Sequence, residues 1–166
     1  MVAEAAGEGT EGMQAVGNVI WNRMHNTHPK LGFKNQDTAQ RVIKAPNQFE
    51  GYKDKRGKIS DLYEKAHEST MWQQAKILAA HQLMNNVEDL AEGMVFYRNP
   101  DAPGQDNPKA WFQKNYLAGK LIPTKKIGKH IFYRWDEAGT PDTFIPEALV
   151  NIQTPPAKPE APRKPQ

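Results

Sequence analysis

The chain has 166 residues, 38% of them hydrophobic and 25% charged, with four Trp, five Tyr and six Phe, which is enough apolar material for one core and too much for a disordered chain. Its formal charge is +3, but Lys158, Arg163 and Lys164 stand against Glu160 alone in the last twelve residues, leaving the body at +1 and arguing against nucleic-acid binding through bulk charge. Cysteine is absent, which excludes disulfides, zinc thiolates and thiol nucleophiles; the first twenty residues lack the basic start and apolar centre of a secretion signal, and no apolar run reaches membrane-spanning length.

The stretch VAEAAGEG (2–9) sets Glu4 among Val2, Ala3, Ala5 and Ala6, and Glu8 between Gly7 and Gly9. The glycines oppose one helix running through both carboxylates, so Glu4 is expected to end a helix and Glu8 to lie in the following turn. From Thr10 onward, Met13, Val16, Ile20 and Met24 recur at spacings of three and four, with Val19 beside them. This predicts a helix with Thr10 as its cap and Glu11 in its first turn, ending near Pro29 and Gly32. Asp37 or Thr38 starts a short helix through Ala39, Val42 and Ile43 that closes before Pro46. NQFEGYKDKRGK (47–58) reads as a loop, and a weakly patterned polar helix follows from Ile59 to Glu68. Ser69 or Thr70 then precedes Trp72, Ala75, Ala79, Leu83, Val87 and Leu90, with Ile77, Leu78 and Ala80 widening the apolar face. A helix of about twenty residues with so wide a face is expected to be central.

Past Gly93 the pattern shortens to MVFYRN (94–99), and a polar, Pro-rich loop (100–110) leads to Trp111 and Phe112. HIFYRW (130–135) alternates imperfectly and is aromatic-rich, as in a short strand or hairpin arm, and DEAGTPD (136–142) reads as a turn. Five prolines in the last twelve residues make an extended linker or frayed end. The expected fold class is α+β, predominantly helical, with a small strand or loop subregion. The expected organisation is one domain over 1–150 with a Pro-rich tail or linker over 151–166.

A carboxylic acid donates a proton near neutral pH when its surroundings disfavour the ionised form, and the apolar neighbours of Glu4 suit that requirement. Glu8, between glycines, sits where backbone can turn sharply or approach a ligand. His25 and His28 lie three apart, with His67 and His81 distant and no H-E-x-x-H pattern, so no metal site and no cofactor are expected. A P-loop and a dinucleotide fingerprint are absent, and Ser occurs at positions 60 and 69 without a nucleophile-elbow context. The basic clusters KDKRGK (53–58) and KKIGK (125–129) read as solvated turns.

VAEAAGEGTEGMQAVGNVIWNRM (2–24) resembles the opening signature of the SleB/CwlJ cell wall hydrolase family: A-E-A-x-G-E, a short spacer, E-G, then A-V-x-x-V-I-x-N-R. Three later blocks, VIKAPNQFEGY (42–52), GMVFYRNP (93–100) and IGKHIFYR (127–134), are similar to the same family in the same order, so the resemblance spans about residues 2–135. It implies a lysozyme-like or lytic-transglycosylase-like fold around a sugar-binding groove, and cleavage of peptidoglycan between N-acetylmuramic acid and N-acetylglucosamine. By residue-level match the catalytic acid falls on Glu4 and a second, site-lining glutamate on Glu8. Gln48 and Phe49 fall in the Q-F loop, Tyr97 in the middle block, and His130 and Tyr133 in the last; a sugar groove could combine Phe49, Tyr97 and Tyr133 with the amides of Gln48 and Asn99. Three residues precede Glu4, whereas the family's acid ends a full helix.

Muramyl sugars allow their own groups to trap the developing cation, so the resemblance implies a lytic transglycosylase, with Glu4 as acid and then base, or a muramidase that activates water. The competing non-enzyme reading is a module that grips peptidoglycan without cutting it, since a groove would keep its aromatics and dispense with the acid. The expected partner is the glycan strand, with no nucleic acid, no membrane insertion and a monomeric protein. Action at the bacterial cell wall, with no signal sequence in this chain, implies release by lysis, carriage in a phage particle as an endolysin would be, or a larger or processed precursor.

Overall fold

The computed structural model describes residues 1–26, 28–31, 33, 35–45, 49, 70–101 and 110–138. The loop expected over 47–58 (Phe49 apart), the polar helix over 59–68, most of the Pro-rich loop and the tail lie outside these residues. The expected α+β, predominantly helical class holds: helices surround one three-stranded antiparallel sheet.

Helix α1 (Val2–Ala5) runs through a 3-10 turn (Ala6–Glu8) into α2 (Gly9–His25). The expected break between Glu4 and Glu8 falls at Ala5 (φ -142, ψ 18), and Gly9, at φ 71, then turns the chain from the 3-10 turn into α2. Thr10 is not the cap of α2. Glu8 occupies that position without a side-chain capping bond, and the Thr10 hydroxyl instead donates to Gln74 Oε1 at 3.1 Å. Tertiary contact outbid local capping, because the 3-10 turn already delivers the chain into α2 and leaves Thr10 facing a neighbouring helix.

Helix α2 is the centre of the molecule. Gly12, Met13, Ala15, Val16, Gly17, Asn18, Val19, Ile20 and Arg23 are all buried, so it is covered on most of its circumference. Its polar side chains at intervals of four, Gln14, Asn18 and Asn22, fasten it to the segment after the next long helix. Gln14 Nε2 donates to Glu88 O at 2.9 Å, Asn18 Oδ1 accepts from Leu90 N at 3.1 Å, and Asn22 Nδ2 donates to Met94 O at 3.2 Å. Buried Asn18 also donates to Gln82 Oε1 at 3.0 Å, so its amide is satisfied on both sides.

Helix α3 (Ala39–Lys44) forms as its capping signal predicts, with Thr38 Oγ1 accepting from Arg41 N at 3.3 Å. Helix α4 (Met71–Leu83) is shorter and more peripheral than its apolar pattern suggested. Ala75 is fully buried and Met71, Trp72 and Leu78 are partly covered, while Ile77 is 59% exposed. The helix stops because Asn85 adopts φ 55: its N–H reaches Gln82 O at 3.0 Å and Asn86 N–H reaches His81 O at 2.9 Å, the paired bonds of a left-handed C-terminal cap. Val87 and Leu90, expected within the helix, therefore lie in the turns beyond it.

The sheet contains β1 (Phe96–Arg98), β2 (Leu121–Ile127) and β3 (His130–Trp135) in the order β1-β3-β2. Helix α5 (Trp111–Leu117) precedes β2. β3 is the expected hairpin arm, and β2, not anticipated, is its partner. Proline within a run lowers its strand signal, yet Pro123 is tolerated because β2 is an edge strand, and a register shift between Pro123 and Lys125 accommodates it. Gly128, at φ 58, opens the two-residue hairpin turn between Ile127 and His130. One face of the sheet, with Phe132 and Ile127, packs with Ala15 and Val19 of α2. The other, with Phe96, Ile131 and Tyr133, packs on Leu31, Phe33, Phe112 and Tyr116.

Candidate active site

Five of the sequence-selected residues, Glu4, Glu8, Phe49, Tyr97 and His130, converge where α1, the start of α2 and the α2-facing side of the sheet meet. Glu4 is partly buried in α1, and Tyr97 projects from β1 so that its hydroxyl donates to Glu4 Oε2 at 3.4 Å. The Tyr97 ring is boxed by His130 (4.8 Å between centroids, perpendicular), Phe132 (5.8 Å, stacked) and Phe49 (6.3 Å). Burial first, and then the nearby Glu4 carboxylate, raise the Tyr97 hydroxyl well above the ordinary phenol range. Tyr97 therefore stays a hydrogen-bond donor throughout the neutral range.

Glu8 and His130 form the second half of the cluster. The Nδ1 N–H of His130 donates to Glu8 Oε2 at 2.9 Å and lies 2.8 Å from Oε1. The Glu8 side chain is 7% exposed and that of His130 8%, so both are enclosed. Two other glycines make the enclosure. A Cβ at Gly12 would stand 2.6 Å from Glu8 Cβ, and one at Gly128 would stand 2.5 Å from Glu8 Oε2.

Arg23 is the residue that sequence reasoning missed. It is 4% exposed, its Nε donates to Val95 O at 2.7 Å, and its guanidinium lies between the rings of Phe33 and Phe49 at 5.3 and 5.2 Å. Burial brings its pKa down to about 10, opposed by the negative charge available at Tyr97 and Glu4. Its Nη1 has no hydrogen-bond partner among the described residues. The signal was present: Arg23 follows Ile20 by three positions and so interrupts the apolar stripe of α2 with a charge. Glu4 also faces the buried Met1 amino group, whose pKa burial lowers.

The remaining selected residues stand apart from Glu4 or outside the described chain. Gln48 lies outside the described residues. Asn99 closes a local turn, its Oδ1 accepting from Asp101 N at 3.0 Å. Tyr133 pairs with Phe96 on the opposite sheet face and is buried against Phe112 and Tyr116, which is the consequence of an odd spacing from His130 along one strand. Among the described residues, no group of three or more His, Cys, Asp or Glu is placed to hold a metal ion.

The arrangement brings one partly exposed carboxyl under a permanent hydroxyl donor and a buried cation, backed by a second carboxylate already engaged by an imidazole. Residues 7–133 match the Hydrolase_2 family model, described as cell wall hydrolase. The chain belongs to the cell wall hydrolase family. Membership gives this cell wall hydrolase peptidoglycan as its substrate, and the match includes Glu8, Arg23, Tyr97 and His130 while starting three residues after Glu4. Comparison with curated proteins and with solved structures returned no match. No helix among the described residues of the hydrolase is long and apolar enough to cross a membrane.

Proposed function

We propose that the protein cleaves the N-acetylmuramic acid to N-acetylglucosamine bond of peptidoglycan, as a lytic transglycosylase of the SleB/CwlJ type, with Glu4 as general acid and then base. The observation that carries this reading is the Tyr97 hydroxyl on Glu4 Oε2, in the neighbourhood of buried Arg23. An acid that gives up its proton in the transition state gains negative charge, and a fixed donor and a cation beside it stabilise that charge as it develops.

In the proposed reaction, protonated Glu4 gives its proton to the bridging oxygen as the bond from that oxygen to C1 of the muramyl sugar breaks. The cation at C1 is captured by the sugar's own C6 oxygen, and the Glu4 carboxylate removes the C6 hydroxyl proton. A 1,6-anhydro end forms and Glu4 is again protonated. Capture by water in place of C6 gives a reducing end, the muramidase outcome.

Glu8 supports the first route over a two-carboxylate mechanism. A retaining nucleophile must reach C1, and an inverting base must hold a water opposite the acid. Both Glu8 oxygens instead face His130 in a slot closed by Gly12 and Gly128. Phe49 and Tyr97 border the same region as Glu4 and are proposed as the nearest aromatic contacts for the sugar; Gln48 and Asn99 are proposed as amide contacts farther along the strand. The glycan strand is proposed to be met by a monomer. Phage carriage, release on lysis or processing from a larger precursor would each deliver this chemistry to the wall.

Mass spectrometry of purified sacculi after digestion tests the reading. Anhydro-muramyl ends are expected with the wild type and absent with E4Q; reducing ends alone would move the protein to the muramidases. Retention on sacculi with no new glycan ends would instead establish a wall-binding module.

A further inference from the structure

Glu8 is unusual in how completely the fold prepares its place. Two positions on different elements, Gly12 in α2 and Gly128 in the hairpin turn, lack the Cβ that would collide with it. What fills the slot is a carboxylate held on one ring nitrogen of His130, the residue that begins β3 immediately after that turn. Burying such a pair gains little stability over a well-packed apolar pair, because desolvation offsets most of the attraction. Its benefit lies in geometry. The His130 ring, fixed by Glu8, presents itself perpendicular to the Tyr97 ring at 4.8 Å, and the Tyr97 hydroxyl reaches Glu4 Oε2.

We infer that Glu8 and His130 are positioning residues which act together through the Tyr97 ring, holding the Tyr97 hydroxyl on Glu4, and that neither touches the sugar. The inference rests on the reading of Glu4 as the acid and extends it by two residues. It assigns the second carboxylate a role in which its oxygens remain engaged by imidazole throughout turnover. The contacts run in one chain: Gly12 and Gly128 shape the slot, Glu8 fills it and orients His130, His130 flanks Tyr97, and Tyr97 donates to Glu4. Phe132 and Phe49 on the other sides of Tyr97 limit the ring to small displacements, so loss of His130 orientation shifts the hydroxyl without emptying the core.

The test is a set of steady-state measurements on purified glycan strands with E8Q, H130Q, Y97F and the doubles E8Q/Y97F and H130Q/Y97F. E8Q and H130Q are each expected to lower kcat about 10-fold with KM within about twofold, the pattern of a group acting on the transition state. In the Y97F background the same changes are expected to cost less than about twofold more, because residues acting through a shared partner are not additive. Full multiplication of the losses would overturn the inference, as would unchanged kcat in both single variants, or a rise in KM alone, which would put His130 or Glu8 on the substrate.

A loss in E8Q as deep as that in E4Q would also overturn it, by making Glu8 a reacting group. E8D keeps the charge and withdraws it by one methylene; a kcat between those of wild type and E8Q supports the positioning role, and it serves where H130Q folds poorly by thermal melting. Intact glycan after exposure to folded wild type, or full activity in E4Q, would remove the Glu4 reading and this inference with it. Normal wild-type cleavage with an inactive E4Q and fully active E8Q and H130Q would remove the inference alone.

Discussion

Glu4 and Glu8 lie four residues apart, in α1 and in the 3-10 turn that follows it, and the fold gives them different partners. Glu4 keeps partial exposure and meets a hydroxyl from β1, with a buried cation from α2 in its electrostatic surroundings. Glu8 is enclosed, paired with an imidazole from β3, and bounded by two glycines. The difference shows that a carboxylate's chemical role follows from which distant elements reach it, since the local sequence of each is small and apolar. One side chain meets the Tyr97 hydroxyl; the other is occupied in holding the hairpin against the start of α2.

Replacing each in turn breaks the comparison most directly. E4Q is expected to lower the rate of glycan cleavage about 10²–10⁴-fold while leaving the melting temperature near that of the wild type, because the amide keeps the size of the carboxyl and an oxygen that accepts from Tyr97. Gly128→Ala strikes the other side. The left-handed backbone alone costs an alanine about 1–2 kcal/mol, and the contact with Glu8 Oε2 adds to it, so urea denaturation should show a loss of about 2–4 kcal/mol together with reduced activity. A Gly128→Ala variant as stable as wild type would mean that Glu8 is not wedged against the turn.

Tyr97→Phe addresses the link between the two regions. Loss of one hydrogen bond to a charged acceptor is expected to lower kcat by roughly 10-fold, about 1.4 kcal/mol, with little change in KM. The same variant has a pH signature. Because folding raises the Tyr97 pKa, its contribution to stability is complete below the unfolded phenol value of about 10 and is lost as pH rises further toward the folded value. Arg23, whose pKa folding lowers, works in the opposite direction over the same alkaline range and is present in both proteins. Alkaline denaturation should therefore fall less steeply in Tyr97→Phe than in wild type. The smallest effect is expected far from both carboxylates: Ile77→Ser on the exposed side of α4 should change stability by less than about 0.5 kcal/mol and leave activity unchanged.

α2 and α4 show what was legible in the chain. Both carry apolar residues at helical spacing, and both are helices. The width of the apolar stripe favoured α4 as the central one, yet α2 holds that place. α2 has Gly12, Ala15 and Gly17, which let neighbours approach closely, and Gln14, Asn18 and Asn22, which bind carbonyl and amide groups of the 88–95 segment. α4 contacts α2 along one side, so one stripe is covered and Ile77 and Leu83 remain outside. The early end of α4 was signalled by Asn85, a residue type that tolerates the left-handed cap, but the apolar spacing of Val87 and Leu90 obscured it.

The site divides in the same manner. Glu4, Glu8, Tyr97, Phe49 and His130 were identifiable from their sequence blocks, and the fold brings them into one neighbourhood. Asn99 is held in its own turn, and Tyr133 was drawn into the same expectation by proximity in sequence although strand alternation sends it to the other sheet face. Arg23 went unassigned because its meaning depends on the Phe33 and Phe49 rings and the Val95 carbonyl, all of which arrive from other parts of the chain.

By itself, the order of residues determined the helices α2 and α3, the aromatic strand β3, the break between Glu4 and Glu8, and the kinship of the chain with cell wall hydrolases. These are consequences of periodicity, glycine conformational freedom and local motif, which act over a few neighbouring positions. Only the tertiary structure decided which partner each carboxylate meets, because those partners are supplied by segments some ninety to one hundred and twenty positions away: Tyr97 for Glu4 and His130 for Glu8.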